Sequence, residues 1–421
     1  MSQRRRVSLA LAISVTLLLA QLAAAPALSD PIAGAVAPSL RLETPWLYLL
    51  LAPLFTLWDG VSMLSMSRLV GFLTGLVALY LAWRILAIWR RGLSLVRESL
   101  SLAIVTALFA AFLVAGAVWH RPMLALSGTD PAEIVVDFHS HTSVSHDVRD
   151  TWMRGFDAEA NRRWHTRAGF DAAFITDHNV VSRESGVGSQ EVLGTGNREG
   201  STVLCPGIEV SAWRAHVVLL GDTVPVDRRR YNGSLDELFA LLRTSDSTYG
   251  ALSVASLPEY RRNHWNRLDQ LVAAGLDGFE IVNASPKANE ITRPERDSVI
   301  QLAREHNRFV VGVSDSHGWG ATSMVWNLVR SPAAEAGGDV CKTLLHQLGT
   351  GFSAVRIIER HRLRPDSWWP MWLTPVGVVW ETWRSMGWTL AASWLVWIWV
   401  LAMGPRLMAR HPARPPTAGR S

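Results

Sequence analysis

Uncharged runs long enough to cross a bilayer stand at both ends of this chain, and they confine any water-soluble fold to the residues between them. Residues 7–27 carry no charge and follow Arg4-Arg5-Arg6, so residues 1–29 read as a secretory signal peptide or a first membrane helix. Within a membrane region over 46–119, residues 69–89, holding only Arg84, and residues 99–119, holding no charge, are the next transmembrane helices. The stretch 46–66 is interrupted by Asp59 and is expected to lie in the interface or re-enter it. Residues 366–384 form a tryptophan-rich interfacial linker, 385–405 a C-terminal transmembrane helix, and 406–421 a basic tail. Arginines cluster at 4–6, 90–97 and 406–420; placing them on the cytoplasmic side makes the chain integral to the cytoplasmic membrane, with its middle on the extracytoplasmic face.

That middle, residues 121–365, has the length of one α/β barrel. Lys287 and Lys342 are the only lysines among 41 basic residues, and the positive balance follows the membrane arginines. With no basic-aromatic stripe, nucleic acid is not an expected partner, whereas the lipid bilayer is. Cys205 and Cys341 form no ligand-spaced cluster and cannot build a disulfide framework. Strand-like runs at 134–137, 172–176, 203–205, 216–220, 251–255, 278–282 and 309–313 alternate with helical patterns at 157–168, 235–243, 266–274 and 294–306. This alternation predicts parallel strands with helical crossovers, a fold that gathers its chemistry at the carboxyl ends of the strands.

Those ends are where the metal-ligand residue types fall. His139 and His141 close the first strand two residues apart, so both project to one side, with Asp147 beyond them. Asp177-His178 follows the second strand, Glu209 the third, Ala215-His216 opens the fourth, and Asp315-Ser316-His317 follows the last. Helix capping accounts for single acids at such places, but not for this many histidines and carboxylates together.

From Asp137 to His317 the chain resembles the polymerase and histidinol phosphatase (PHP) family of metal-dependent phosphoesterases. The resemblance rests on His139-x-His141 with Asp147, on Thr176-Asp177-His178-Asn179, on Gly207-x-Glu209 and on Ser314-Asp315-x-His317, in the family's order. It implies an α/β fold, a PHP-like distorted (β/α)7–8 barrel, here flanked by transmembrane α-helices. It also implies two or three divalent metal ions per chain, with zinc, manganese and iron all compatible with the donor types. By the same resemblance, one ion is held by His139, His141, Glu209 and Asp315; Glu209 bridges to a second beside His216; a third takes Asp147, His178 and His317. The family's His-Pro pair is replaced by Leu257-Pro258, and leucine cannot ligate, so the second ion loses a ligand or borrows from His264, Asn283 or water.

The chemistry so implied is hydrolysis of a phosphomonoester or phosphodiester by a metal-activated hydroxide, with a phosphorylated small molecule as the substrate. Asp177 and His317 are candidates to move protons or orient ligands, and Arg183, Arg261, Arg262, His264 and Lys287 are candidates to hold the phosphate. Glu280 and Asn283, at a strand end, serve the pocket or cap a helix. Two rivals differ in kind. An amidohydrolase-type C–N hydrolase also opens with His-x-His but needs a bridging lysine, which neither Lys287 nor Lys342 is placed to supply. A membrane-tethered PHP domain with weakened catalysis would bind a ligand without turning it over.

Overall fold

The computed structural model describes residues 3–91, 95–181, 201–221, 225–331 and 339–409. An apolar segment with no outside partners satisfies its backbone best as helix, and the first part of the chain is helical. It contains α1 (Gln3–Leu22), α2 (Trp46–Leu50), α3 (Ala52–Ser62), α4 (Met66–Arg91) and α5 (Leu95–Val118), with short strands β1 (Leu28–Ser29) and β2 (Arg41–Glu43) after α1. Gln3–Leu22, Met66–Trp89 and Val96–Val118 are long and apolar enough to cross a membrane. The stretch 46–66 is split at Leu51, just before Pro53, into α2 and α3, neither of membrane-spanning length.

Next come β3 (Ala125–Ser127), β4 (Glu133–Ser140), α6 (His146–Arg149), α7 (Ala158–Ala168), β5 (Ala172–Ile175), β6 (Val203–Ala212), β7 (Ala215–Leu220) and α8 (Leu235–Tyr249). The domain continues through β8 (Leu252–Ala255), α9 (Leu257–Asn263), α10 (Leu268–Ala273), β9 (Gly278–Asn283), α11 (Arg293–Glu305) and β10 (Phe309–Val313). It ends with β11 (Val325–Arg330), α12 (Val340–Leu348) and β12 (Arg356–Arg360), before α13 (Thr374–Ser385) and α14 (Trp388–Ala409). The apolar portion of α14, Trp388–Gly404, is shorter than the three candidate spans.

Ten strands form one curled sheet in the order β1-β12-β11-β4-β5-β6-β7-β8-β9-β10, a mixed α/β fold with the outline of a distorted barrel. The curl brings the end of β10 back to β4. There Asp315 N–H donates to the His139 carbonyl at 2.9 Å and His141 N–H to the Ser316 carbonyl at 3.0 Å. Further down the seam the Asn327 side chain bridges the Gly312 and Val136 carbonyls, at 2.6 and 2.8 Å, where the two strands share no ladder.

Fully parallel strands were expected, and the sheet departs from that at β7. β6 and β7 are joined by Trp213 and Arg214, both at positive φ (36° and 59°), a tight hairpin with no room for a helix. β7 therefore runs antiparallel to both neighbours. His216 consequently stands at the amino end of its strand, which in this reversed direction is the same end of the sheet as Glu209. β11 is antiparallel as well, against β4 and β12, and extends the sheet beyond the curl.

The sheet's interior is lined by alternating apolar side chains, among them Val136, Phe138, Phe174, Val210, Val254, Phe279 and Val311, all buried. A disulfide joins Cys205 on β6 to Cys341 on α12, closing 136 residues of chain. Two cysteines 136 residues apart, without ligand spacing, carry no local signal of this pairing. The candidate spans are each tied at one end to a neighbouring segment: past α1, Ala25 N–H donates to the Arg384 carbonyl of α13; at the start of α4, Met66 N–H donates to the Pro286 carbonyl of the α/β domain; and Arg121, just past α5, donates to the Ala321 carbonyl of that domain at 3.4 Å.

Candidate metal centre

Parallel β4 and β5 end side by side, and each turns into a loop instead of a helix. Asp177 sets the shape of both loops. Its carboxylate accepts from Thr142 N–H and Thr142 Oγ1, each at 2.7 Å, so the chain just past His141 is tied to the chain just before His178. Burial pushes the Asp177 carboxyl up to about 6, against the two bonds from Thr142. This expected catalytic group is thus turned towards Thr142. Asp137, buried beneath, accepts from Ser314 N–H at 3.0 Å and faces His165 Nε2 at 2.9 Å, joining β4, α7 and the loop after β10. Asp315 then sits at φ 46°, a left-handed backbone that aspartate tolerates better than most residues.

These struts bring all eight expected ligands into one mouth. His139, His141 and Asp315 form one group; His178, Glu209 and His216 a second; His141, Asp147, His178 and His317 a third, with the donor atoms of each within 4.8 Å of one another. Glu209 is central: its Oε2 lies 3.2 Å from His139 Nε2, 3.3 Å from His141 Nε2 and 3.2 Å from His178 Nε2, while Oε1 lies 3.0 Å from His216 Nδ1. Asp147 Oδ2 lies 2.7 Å from His317 Nε2 and 3.1 Å from His178 Nε2.

Does this donor set fit metal ions? His139 Nε2 and His141 Nε2 face each other at 3.0 Å, and His139 Nδ1 is already engaged by Glu280 Oε1 at 2.6 Å. If Nδ1 carries the proton, as a carboxylate partner demands, Nε2 presents a bare lone pair to the cluster. His141 Nδ1 and His178 Nδ1 are buried without partners. No arginine or lysine lies within ion-pair distance of Asp147, Glu209 or Asp315 among the described residues, so convergent lone pairs and negative charge are left for a cation to satisfy. The electrostatics agree. Burial would lower His317 and His216, but Asp315 and Asp147 hold the first up at about 9, and Glu209 the second at about 9. Asp315 and Asp147 are held well below the usual carboxylate range, although burial opposes it, by the surrounding imidazoles. Burial and the nearby His317 push His141 down to about 4.

Of the expected phosphate-binding residues, Arg261, His264 and Lys287 do not join the cluster. Arg261 pairs with Glu295 at 3.0 Å. His264 Nε2 bonds the Trp213 carbonyl at 3.0 Å, and His264 belongs to none of the three donor groups. Lys287 is exposed beside Pro286, whose carbonyl takes Met66 N–H of α4. Arg183 lies outside the described residues.

Leu257, at the position of the family histidine, is fully buried, and its backbone N–H donates to Glu280 Oε2 at 2.9 Å. Asn283 also serves Glu280, donating to the same oxygen at 2.9 Å. Two residues on, in the first turn of α9, Glu259 places Oε2 3.8 Å from His216 Nδ1. Sequence reasoning missed Glu259. Its spacing from Leu257, around Pro258 at a helix start, is the signal that could have found it.

No family model matches this chain, and no curated protein matches it in sequence. Solved structures do resemble it in part. A protein described as a metal-dependent phosphoesterase from Bifidobacterium adolescentis is 15% identical, covering 44% of this chain and 88% of its own, with a TM-score of 0.29. The lesion-specific endonuclease PfuEndoQ from Pyrococcus furiosus is 15% identical over 55% of this chain and 60% of its own, with a TM-score of 0.34. An amidohydrolase from Chromobacterium violaceum is 15% identical over 44% and 87%, with a TM-score of 0.25.

Proposed function

We propose that the chain is a membrane-anchored, PHP-like metal-dependent phosphoesterase. The observation that supports this best is the convergence of five imidazoles and three carboxylates, from loops far apart in sequence, with no arginine or lysine among the described residues to neutralise them. His139, His141, Glu209 and Asp315 would hold one ion, His178, Glu209 and His216 a second, and Asp147, His178 and His317 a third. Bound ions at such a site supply an acidified water and neutralise charge on the phosphoryl oxygens. The chain's own residues do the rest. Glu280 fixes the tautomer of His139, and Asp177 fixes the two loops. Lys342 pairs with Asp339 at 3.6 Å and Lys287 stands at the α4 junction, so the bridging lysine of an amidohydrolase has no counterpart here.

We place the domain on the extracytoplasmic side. The arginine clusters favour that orientation, and a disulfide between buried cysteines suits an oxidising compartment. Maleimide labelling of the denatured chain should then require prior reduction; ready labelling of protein trapped in cells would count against this placement.

The activity itself is tested on full-length protein in detergent, stripped with chelator and reloaded separately with zinc, manganese or iron. Turnover of p-nitrophenyl phosphate or its bis-ester, dependent on metal, is the expected result. Cleavage of p-nitroacetanilide alone would replace the reading with an amidohydrolase. Metal uptake without any turnover would leave a ligand-binding domain.

A further inference from the structure

We infer that the substrate phosphoester belongs to a membrane amphiphile, whose phosphoryl group enters the metal-ligand cluster while its hydrocarbon rests on Val144, Trp152 and Val180. The inference builds on the phosphoesterase reading and narrows its substrate class. Between residues 121 and 365, among the described residues, Trp152 (70% exposed), Val180 (44%) and Val144 (39%) are the most exposed large apolar side chains; the next along the chain, Trp368, stands in the tryptophan-rich linker. Single exposed valines are ordinary on any protein. These three are not scattered. Val144 and Trp152 flank the ligand Asp147, and Val180 stands two residues past the ligand His178.

Hydrogen bonds hold the three loops together at the mouth. His178 N–H donates to Ser145 Oγ at 3.3 Å, and Ser143 N–H to the Phe156 carbonyl at 2.7 Å. Elsewhere among the described residues of this domain the large apolar side chains are buried or partly buried, so the greater exposure at this rim points to a hydrophobic guest at the site.

The same mouth abuts the end of a membrane helix. From the ligand His317 the chain runs directly onto α5. A Cβ on Gly318 would meet Met153, next to Trp152, while the Trp319 ring lies tilted against His120 at 4.0 Å and stands edge-on to Phe156 at 4.9 Å. A Cβ on Gly320 would stand 3.1 Å from the Ala117 Cα, inside the candidate span Val96–Val118. The rim thus lies two side-chain contacts from the membrane end of α5. Arg149 and Arg154 bracket Trp152, the pairing of aromatic and cation found where protein meets head groups. In the hydrolysis, water's oxygen forms the new P–O bond, the ester P–O bond breaks, and the alcohol oxygen leaves with a proton from that water. The apolar alcohol stays with the bilayer and the phosphate product goes to water.

The test uses the metal-loaded full chain in nanodiscs, with phosphatidic acid and phosphatidylglycerol, each in dioleoyl and dibutanoyl form, beside p-nitrophenyl phosphate. For at least one head group, kcat/KM for the dioleoyl form should exceed that for the dibutanoyl form at least about tenfold. In Trp152→Ala and in Val144→Ser/Val180→Ser that ratio should fall towards one, through KM more than kcat. Equal handling of long and short chains, or refusal of both while p-nitrophenyl phosphate is hydrolysed, overturns the amphiphile inference and leaves the phosphoesterase reading standing. Absence of hydrolysis on every substrate removes both.

Discussion

The mouth of the sheet and its junction with the N-terminal helices are both buried clusters of charge, but with opposite balances. At the junction Asp59 accepts from Tyr48 at 2.8 Å and Thr322 at 3.1 Å and pairs with Arg360 at 3.0 Å and Arg121 at 3.3 Å, so one carboxylate is enclosed by two guanidiniums and two hydroxyls. At the mouth, Asp147, Glu209 and Asp315 meet imidazoles and, at Asp147, the Ser145 hydroxyl, with no arginine or lysine in ion-pair distance among the described residues. A closed balance makes a rivet. An open one makes a receptor for cations, and the loop 317–322 connects the two, carrying His317 at one end and Thr322 at the other.

Mutations should separate the two. At the mouth, His139→Ala removes a donor shared by the central group; hydrolysis should fall nearly 10^4-fold, about 5 kcal/mol, with bound metal reduced by elemental analysis. Unchanged metal content and turnover would show that the convergence of side chains there is not a metal centre. At the junction, Asp59→Asn leaves Arg121 and Arg360 buried beside a neutral amide, a loss of about 3–5 kcal/mol. It should appear as a lower apparent melting temperature at unaltered metal stoichiometry. If Asp59→Asn instead strips metal without lowering the melting temperature, the two clusters are not separable and the contrast between them fails.

Much of this was legible in the sequence because ligand-type side chains stand where apolar runs stop. His139-x-His141, Asp177-His178 and Asp315-x-His317 follow that rule, and the curl of the sheet joins them; Glu209, expected just past a strand at 203–205, instead lies inside β6, whose ladder with β7 continues to Ala212. What escaped depends on pairings across the chain. The β6–β7 hairpin turns on Trp213-Arg214, without the Asn-Gly or Asp-Gly that marks such a turn, so reversal of β7 could not be read. β11 and β12 carry Asn327, Glu359 and Arg360, polar residues whose partners lie far away. The charge at Asp59, read as a break in an apolar stretch, is instead the group that fastens α3 to the sheet.

A smaller effect sharpens the contrast through pH. Glu359 on β12 is buried, which alone would raise its carboxyl, but Arg362, Arg296 and Arg364 outweigh burial and hold it down at about 2. Its folded value lies below the unfolded value of 4.5, so its stabilisation is complete above 4.5 and is lost as pH falls from there towards 2. The amount is on the order of 3 kcal/mol. Acid unfolding of the chelator-treated chain should therefore be steeper than that of Glu359→Gln across this window; parallel curves would show that another group controls the acid limb.

The mildest prediction tests how the mouth keeps its lone pairs aimed. Glu280 reaches His139 Nδ1 with one oxygen while the other takes Leu257 N–H and the Asn283 amide, both at 2.9 Å. Glu280→Gln keeps size and most packing, but one end of the side chain becomes a donor. Whichever way the amide turns, either it offers N–H to His139 Nδ1, driving the ring proton to Nε2 and into the cluster, or it points N–H at Leu257 N–H and breaks that bond. Metal affinity, measured by competition with a chelator, should fall about 10- to 100-fold. A lower melting temperature with unchanged metal affinity would instead make Glu280 a packing strut for α9, and His139 would owe its orientation to β4 alone.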